Sequence, residues 1–89
     1  MNFSSIDSII HDWSFRNNIP LSTKYQNVEI RSFQIVGSRG QAQIWIEENG
    51  DFIVNVWDYK KKKKAFTVNT ITLNARLDES LRIAREWCE

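Results

Sequence analysis

The fold of this chain is decided by residues 41–59, whose sequence is QAQIWIEENGDFIVNVWDY. Apolar side chains alternate with other side chains on both sides of a short segment that contains Gly50. Alternation with a period of two is typical of a β-strand with one buried face, and a Gly-containing segment between two such stretches is typical of a hairpin turn. The stretch therefore predicts a β-hairpin at the centre of the fold.

Two registers of this hairpin compete. A two-residue turn at Asn49-Gly50 would mix polar and apolar residues on both faces. A three-residue loop over 48–50, with Gly50 in the left-handed conformation, would pair Ile46 with Phe52. We prefer the second register because burying each large apolar side chain contributes about 1.5–3 kcal/mol. It places six apolar residues on one core face: Ala42, Ile44, Ile46, Phe52, Val54 and Val56.

The opposite face of the same hairpin is unusually aromatic for a surface in contact with water. It carries Gln43, Trp45, Glu47, Ile53, Asn55, Trp57 and Tyr59. Three structures would account for it: a helix that covers the face, a second protein that seals it, or a nucleic acid whose bases stack on it. The second protein would be a copy of this chain or a different one. The sequence leaves these alternatives open.

Three further segments flank the hairpin. Residues 28–36 are rich in β-branched and aromatic residues and predict a strand with a bulge near Ser32, preceded by a polar connection over 22–27 and followed by a turn over 37–40. Residues 65–69 predict a short fourth strand with Phe66 and Val68 pointing inward.

A helix is predicted at each end of the chain. Near the start, one stripe holds Ile6, Ile9, Ile10 and Trp13, with Ser4 or Ser5 as the cap and an end by about residue 18. Near the end, residues 73–88 predict an amphipathic helix with Thr72 as its cap, and a start after an Asp78 cap is the alternative. Its apolar stripe is Leu73, Leu77, Leu81, Ala84 and Cys88. We therefore expect a single α+β domain over 1–89, with an antiparallel meander of three to four strands between two helices.

Composition and charge exclude several classes of function. The 89 residues carry 12 Lys and Arg against 11 Asp and Glu, a balance far from that of a DNA-coating protein. A single cysteine, Cys88, and a single histidine, His11, offer neither a disulfide nor a set of metal ligands, and no motif pairs a nucleophile with a base. We therefore expect that the chain is not an enzyme and that it binds neither a metal nor a cofactor. The start of the chain has no signal-peptide pattern and no apolar run is long enough to cross a membrane, so we expect a cytoplasmic protein without membrane contact.

The most prominent charged feature is a run of five lysines, 60–64, directly after the aromatic face. It favours either a contact with phosphate or an acidic partner, or an exposed hairpin tip that uses lysine to prevent unwanted pairing. The candidate binding residues are Trp45, Trp57, Tyr59, Lys60, Lys61, Lys62, Lys63 and Lys64.

The predicted elements are a helix with Trp13, three stretches over 28–36, 41–47 and 51–59, and a closing helix ending at Trp87. In this order of elements the chain resembles small bacterial immunity proteins of polymorphic-toxin and contact-dependent systems. Those proteins are short, cytoplasmic and non-enzymatic, and they bind and neutralise a toxin. The resemblance covers the whole chain and rests on element order, so it implies a protein partner but assigns no site residue.

The four strands and the last helix are also similar to the small coactivator fold that binds single-stranded DNA, which has no counterpart of the first helix. The sequence thus carries two hypotheses. The first is a binding protein that acts through a protein–protein interface as an inhibitor or immunity factor. The second is a protein that binds single-stranded nucleic acid through the aromatic face and the lysines.

Overall fold

The structure is a computed structural model that describes residues 2–89. After a short 3-10 turn at Phe3–Ser5, the described chain forms two helices and five strands in this order: α1 (Asp7–Asn17), β1 (Leu21–Tyr25), β2 (Val28–Gly37), β3 (Gly40–Asn49), β4 (Asp51–Trp57), β5 (Lys63–Val68) and α2 (Leu73–Cys88). The predicted α+β class and the two terminal helices are confirmed. The sheet contains one strand more than predicted.

All five strands form one antiparallel sheet in sequence order, β1-β2-β3-β4-β5, which is a meander. The predicted polar connection over 22–27 is wrong, because most of it is β1. A tight turn joins β1 to β2, and its residues Gln26 and Asn27 both have positive φ angles, 49° and 69°. Two left-handed residues give the turn the twist that antiparallel neighbours need. Pairing with β1 is irregular between Ser22 and Lys24, close to the bulge predicted near Ser32.

The central hairpin keeps the predicted faces in a different register. Ile46 pairs with Val54 and not with Phe52, because the loop is centred on Gly50, which has a φ of 80° and lies between the paired residues Asn49 and Asp51. The loop lies one residue further along the chain than predicted, and the pairing therefore shifts by two residues. A shift of two leaves every side chain on its own face. All six predicted core residues of the hairpin are buried.

Both helices pack on this inner face of the sheet. The ring of Trp13 on α1 meets Phe33 of β2 edge-on, with 4.9 Å between centroids, and its Nε1 donates to Asp78 of α2 at 2.9 Å. Helix α2 lies across β2, β3 and β4 and buries its predicted stripe. That stripe is Leu73, Leu77, Leu81, Ala84 and Cys88. The helix starts at residue 73, so the alternative start after Asp78 is wrong.

The cap of α1 differs from the prediction, whereas Thr72 lies at the cap position predicted for α2. Ser4 and Ser5 lie in the 3-10 turn, where the side chain of Asn2 accepts from the backbone N–H of Ser4, and α1 starts without a side-chain cap. Thr72 occupies the cap position of α2, but its Oγ1 accepts from the backbone N–H of Asn69 at 3.0 Å. The Asn69 Oδ1 in turn accepts from the N–H of Thr72 at 3.0 Å. These reciprocal bonds have the pattern of a capping box, which satisfies donors at the start of a helix.

Candidate functional site

The candidate site lies on the sheet face opposite both helices, which we call the outer face. It consists of the side chains that alternate with the core residues along four strands: Ser32, Gln34, Val36, Gln41, Gln43, Trp45, Glu47, Ile53, Asn55, Trp57, Lys63, Ala65 and Thr67. Trp45 and Trp57 are half-buried there, and Val36 is 70% exposed. Both α1 and α2 pack on the other side of the sheet. The alternative in which one of the protein's own helices covers the aromatic face is therefore wrong.

Trp57 and Tyr59 form an aromatic pair at one end of this face. Their ring centroids are 4.7 Å apart and the rings are tilted by 45°. Strand β4 ends at Trp57, two residues earlier than the predicted stretch, and Tyr59 has a φ of 65° that is rare for a residue with a side chain. The Tyr59 hydroxyl donates to Gln34 Oε1 at 2.5 Å, and Gln34 Nε2 donates to Gln41 Oε1 at 2.8 Å. This chain of bonds fixes the orientation of the aromatic pair.

Trp45 is held from two sides at the centre of the face. Its Nε1 donates to Glu47 Oε1 at 3.0 Å, and the same oxygen accepts from Asn55 Nδ2 at 3.2 Å. The Lys63 ammonium reaches across β4 and lies 5.4 Å from the centroid of the Trp45 ring, a distance at which a cation is attracted to the ring. Glu47 and Asn55 were not among the predicted site residues, although the alternation of β3 and β4 placed both on this face.

The five lysines do not form one patch. Lys63 points to the outer face, whereas Lys64 pairs with Val56 and shares the inner side of the sheet. The Lys62 ammonium lies 6.0 Å from the ring of Trp87 on α2. Lys60 and Lys61 are exposed at the tip of the loop. The structure therefore brings Lys63 together with the predicted aromatic residues and separates Lys62 and Lys64 from them.

Asp58 fixes the shape of the lysine loop. Its Oδ1 accepts from the backbone N–H groups of Lys60 at 2.9 Å and Lys62 at 3.0 Å, and its own N–H donates to the Lys62 carbonyl at 3.2 Å. Desolvation acts to raise the pKa of the Asp58 carboxyl, but these N–H groups more than offset it, so the pKa lies below its usual value. The loop is thus held as a turn by a carboxylate that stays ionised.

A cleft of about 460 Å³ opens where β2 and β3 separate beyond the pair Ser32 and Trp45. The buried Arg31 forms part of its wall, and its guanidinium donates to both Asp7 oxygens at 2.7 and 3.0 Å and to Glu29 at 2.8 Å. The hydrogen bond and charge of Arg31 hold the pKa of the Asp7 carboxyl below its usual range, and Asp7 in turn raises the pKa of Arg31. The Arg31 Nη1 also donates to the Ile30 carbonyl at 2.6 Å. This network joins α1 to β2 and compensates the charge of Arg31 with two carboxylates.

Reactive groups are scattered. Across residues 2–89, no group of three or more His, Cys, Asp or Glu side chains is placed to hold a metal ion. His11 is exposed on α1, and burial raises the pKa of the Cys88 thiol, which lowers its reactivity at neutral pH. Neither α1 nor α2 is long and apolar enough to cross a membrane.

Comparisons with known proteins provide no further assignment. No family model, no curated protein and no solved structure matches this chain.

Proposed function

We propose that this chain is a non-enzymatic binding protein that acts through a protein–protein interface on its outer face, in the manner of an inhibitor or immunity protein. One observation carries the proposal: a sheet face with two indoles and a tyrosine lies opposite both helices and remains open to solvent. Large aromatic patches of this kind on a small protein mark interaction sites.

The composition of the face favours a protein over other ligands. Besides its aromatic rings, the face holds aliphatic side chains, amides and hydroxyls, and its charged side chains are Glu47 and Lys63. The cores of protein interfaces are enriched in aromatic residues and depleted of charge in the same way. The bonds from Tyr59 to Gln34 and from Trp45 to Glu47 hold these side chains before a partner arrives, which reduces the entropy lost on binding.

The test is a substitution that blocks the face without disturbing the core. Val36→Arg places a long cation on the outer face at an exposed position, and Phe15→Arg makes an equally large change at an exposed position of α1. A tagged chain is used to capture its partner from the native host. We expect the native chain and the Phe15→Arg variant to retain the same partner, and the Val36→Arg variant to lose it. A partner retained equally by both variants, or no partner at all, contradicts the proposal.

A second candidate function, binding of single-stranded nucleic acid, is favoured by the position of Lys63 over Trp45 next to the Trp57 and Tyr59 pair. Bases stacked on aromatic side chains contribute about 1–3 kcal/mol each. Oligonucleotides should then quench tryptophan fluorescence at low salt, and the quenching should disappear at high salt. A Trp45→Phe variant assigns the signal to this face. Unchanged fluorescence at low salt removes this candidate.

A further inference from the structure

The net charge of +1 conceals an uneven distribution of charge along the strands. Glu47 and Asp51 lie on or beside the outer face where β3 turns into β4. At the opposite end of the sheet lie the exposed residues Lys60 and Lys61, in the turn from β4 to β5. Strand β4 has seven residues, so the two ends are about 20 Å apart. The Lys63 ammonium lies over the Trp45 ring, between the two ends. The outer face therefore has an acidic end at Asp51 and a basic end at Lys60 and Lys61, and the aromatic residues lie between them.

From this polarity we infer that the outer face also pairs with a second copy of this chain, in an antiparallel arrangement that buries the aromatic centre. A two-fold axis that lies between two facing sheets and runs across their strands places the acidic end of each copy on the basic end of the other. The symmetry makes the favourable contact twice. The inference rests on the proposed function in one respect, because it requires the outer face to be an interface.

The area of the face sets the expected strength of this dimer. Four strands spaced about 4.8 Å apart and about 20 Å long give about 400 Å² of projected area per copy, so the pair buries on the order of 1,000 Å² in total. Interfaces of this size are weak and transient. A weak dimer protects the aromatic face in the absence of another partner and releases it when that partner binds.

The experiment is sedimentation equilibrium of the full chain over a range of concentrations, at low and at high salt. We expect a reversible monomer–dimer equilibrium that weakens as salt rises, because the contacts between the ends of the sheets are exposed to screening. Two charge-reversal variants then test the arrangement. Asp51→Lys places like charges together in the antiparallel pair, and so does the combined change Lys60→Glu with Lys61→Glu. Each variant alone should fail to dimerise.

Mixing the two variants gives the decisive measurement. In the mixed pair, each reversed end meets the oppositely reversed end of the other chain, so association should return to the level of the native chain. The matched control is Glu86→Lys, which makes the same change of charge as Asp51→Lys at an exposed position of α2, on the other side of the molecule. It should dimerise normally. Circular dichroism confirms that each variant is folded.

Three results would each overturn the inference: a native chain that is monomeric at every concentration, a mixture that associates no better than its components, or a control as disruptive as Asp51→Lys. A monomeric chain that still captures a partner through Val36 leaves the proposed function standing. A chain that dimerises but captures no other protein supports the dimer and contradicts the proposed function, since the face is then an interface between copies alone.

Discussion

Gly37 is the position where the end of α2 meets the turn between β2 and β3. A Cβ atom at this residue would lie 2.4 Å from the Cys88 carbonyl oxygen and 2.6 Å from the Cys88 Cβ. The same carbonyl accepts from the backbone N–H of Arg39 at 2.7 Å. Because the obstructing atoms belong largely to the backbone, they cannot move aside as a flexible side chain would. Only glycine allows the helix to pack this closely.

Gly37→Ala is therefore expected to lower the free energy of unfolding by about 1–3 kcal/mol, the usual range for overpacking. Chemical denaturation of the native and variant chains measures the difference. Gly40→Ala is the matched control, because no atom lies within 4 Å of a Cβ built there and its φ is not in the left-handed region. Its effect should be small. Equal losses at the two positions would show that the close approach to Cys88 does not limit Gly37.

The ion pair of Asp7 with Arg31 joins the first turn of α1 to the bulged part of β2. Arg31 is buried and 7% exposed, so removing its principal partner leaves a charge with fewer compensating bonds. Asp7→Asn should lower the free energy of unfolding by about 1–3 kcal/mol at neutral pH, as expected for a hydrogen bond to a charged group.

The pH dependence of this loss follows from the direction of the shift. The pKa of Asp7 is lower in the folded chain than its unfolded value of about 4, so its contribution is fully present above that value and is lost as the pH falls through the folded pKa. The difference between the native chain and Asp7→Asn should therefore shrink in acid, as measured by denaturation at several pH values. Asp12→Asn, which breaks an exposed pair with Arg16, should cost less than about 0.5 kcal/mol. A difference that does not change with pH would contradict this account of the Asp7 contribution.

The central hairpin shows how far an alternating pattern determines a sheet. Alternation fixed which residues share a face, so the core residues Ile44 and Val54 were predicted correctly. It could not fix the pairing, because registers that differ by two residues place the same side chains on the same faces. The choice between them depends on the local geometry of the loop at Gly50, which composition does not determine.

Strand β1 was missed for a related reason. It lies at the edge of the sheet, and four of its five residues are exposed, so its sequence, LSTKY, lacks the apolar alternation of a half-buried strand. The turn that creates it depends on left-handed conformations at Gln26 and Asn27, and glutamine is not a residue that signals such a turn. An edge strand held mainly by backbone bonds leaves little trace in the side chains.

The sequence predicted the aromatic face but not its exposure. Two amphipathic helices and a sheet with two partly apolar faces allow one helix on each side or both on one side. The contact between Trp13 and Phe33 and the bond from Trp13 to Asp78 place both helices together on the inner face. Such contacts are between residues distant in sequence, and no local pattern encodes them. The outer face is open because both helices pack on the inner face.

The same one-sided arrangement predicts an uneven stability across the sheet. Strands β3 and β4 are paired on both sides and lie beneath α2, whereas β1 has one neighbouring strand and mostly exposed side chains. Backbone amides in the middle of β3 and β4 should exchange with solvent only on global unfolding, and those of β1 should exchange through local opening. If the free energy of local opening is smaller by about 1.4 kcal/mol, the amide exchanges ten times faster. Amide exchange followed by NMR at increasing denaturant separates the two processes, since local opening is nearly independent of denaturant. If the amides of β1 and β4 were equally protected from exchange, the β1 edge would be covered in solution. The edge strand would then form an interface separate from the outer face.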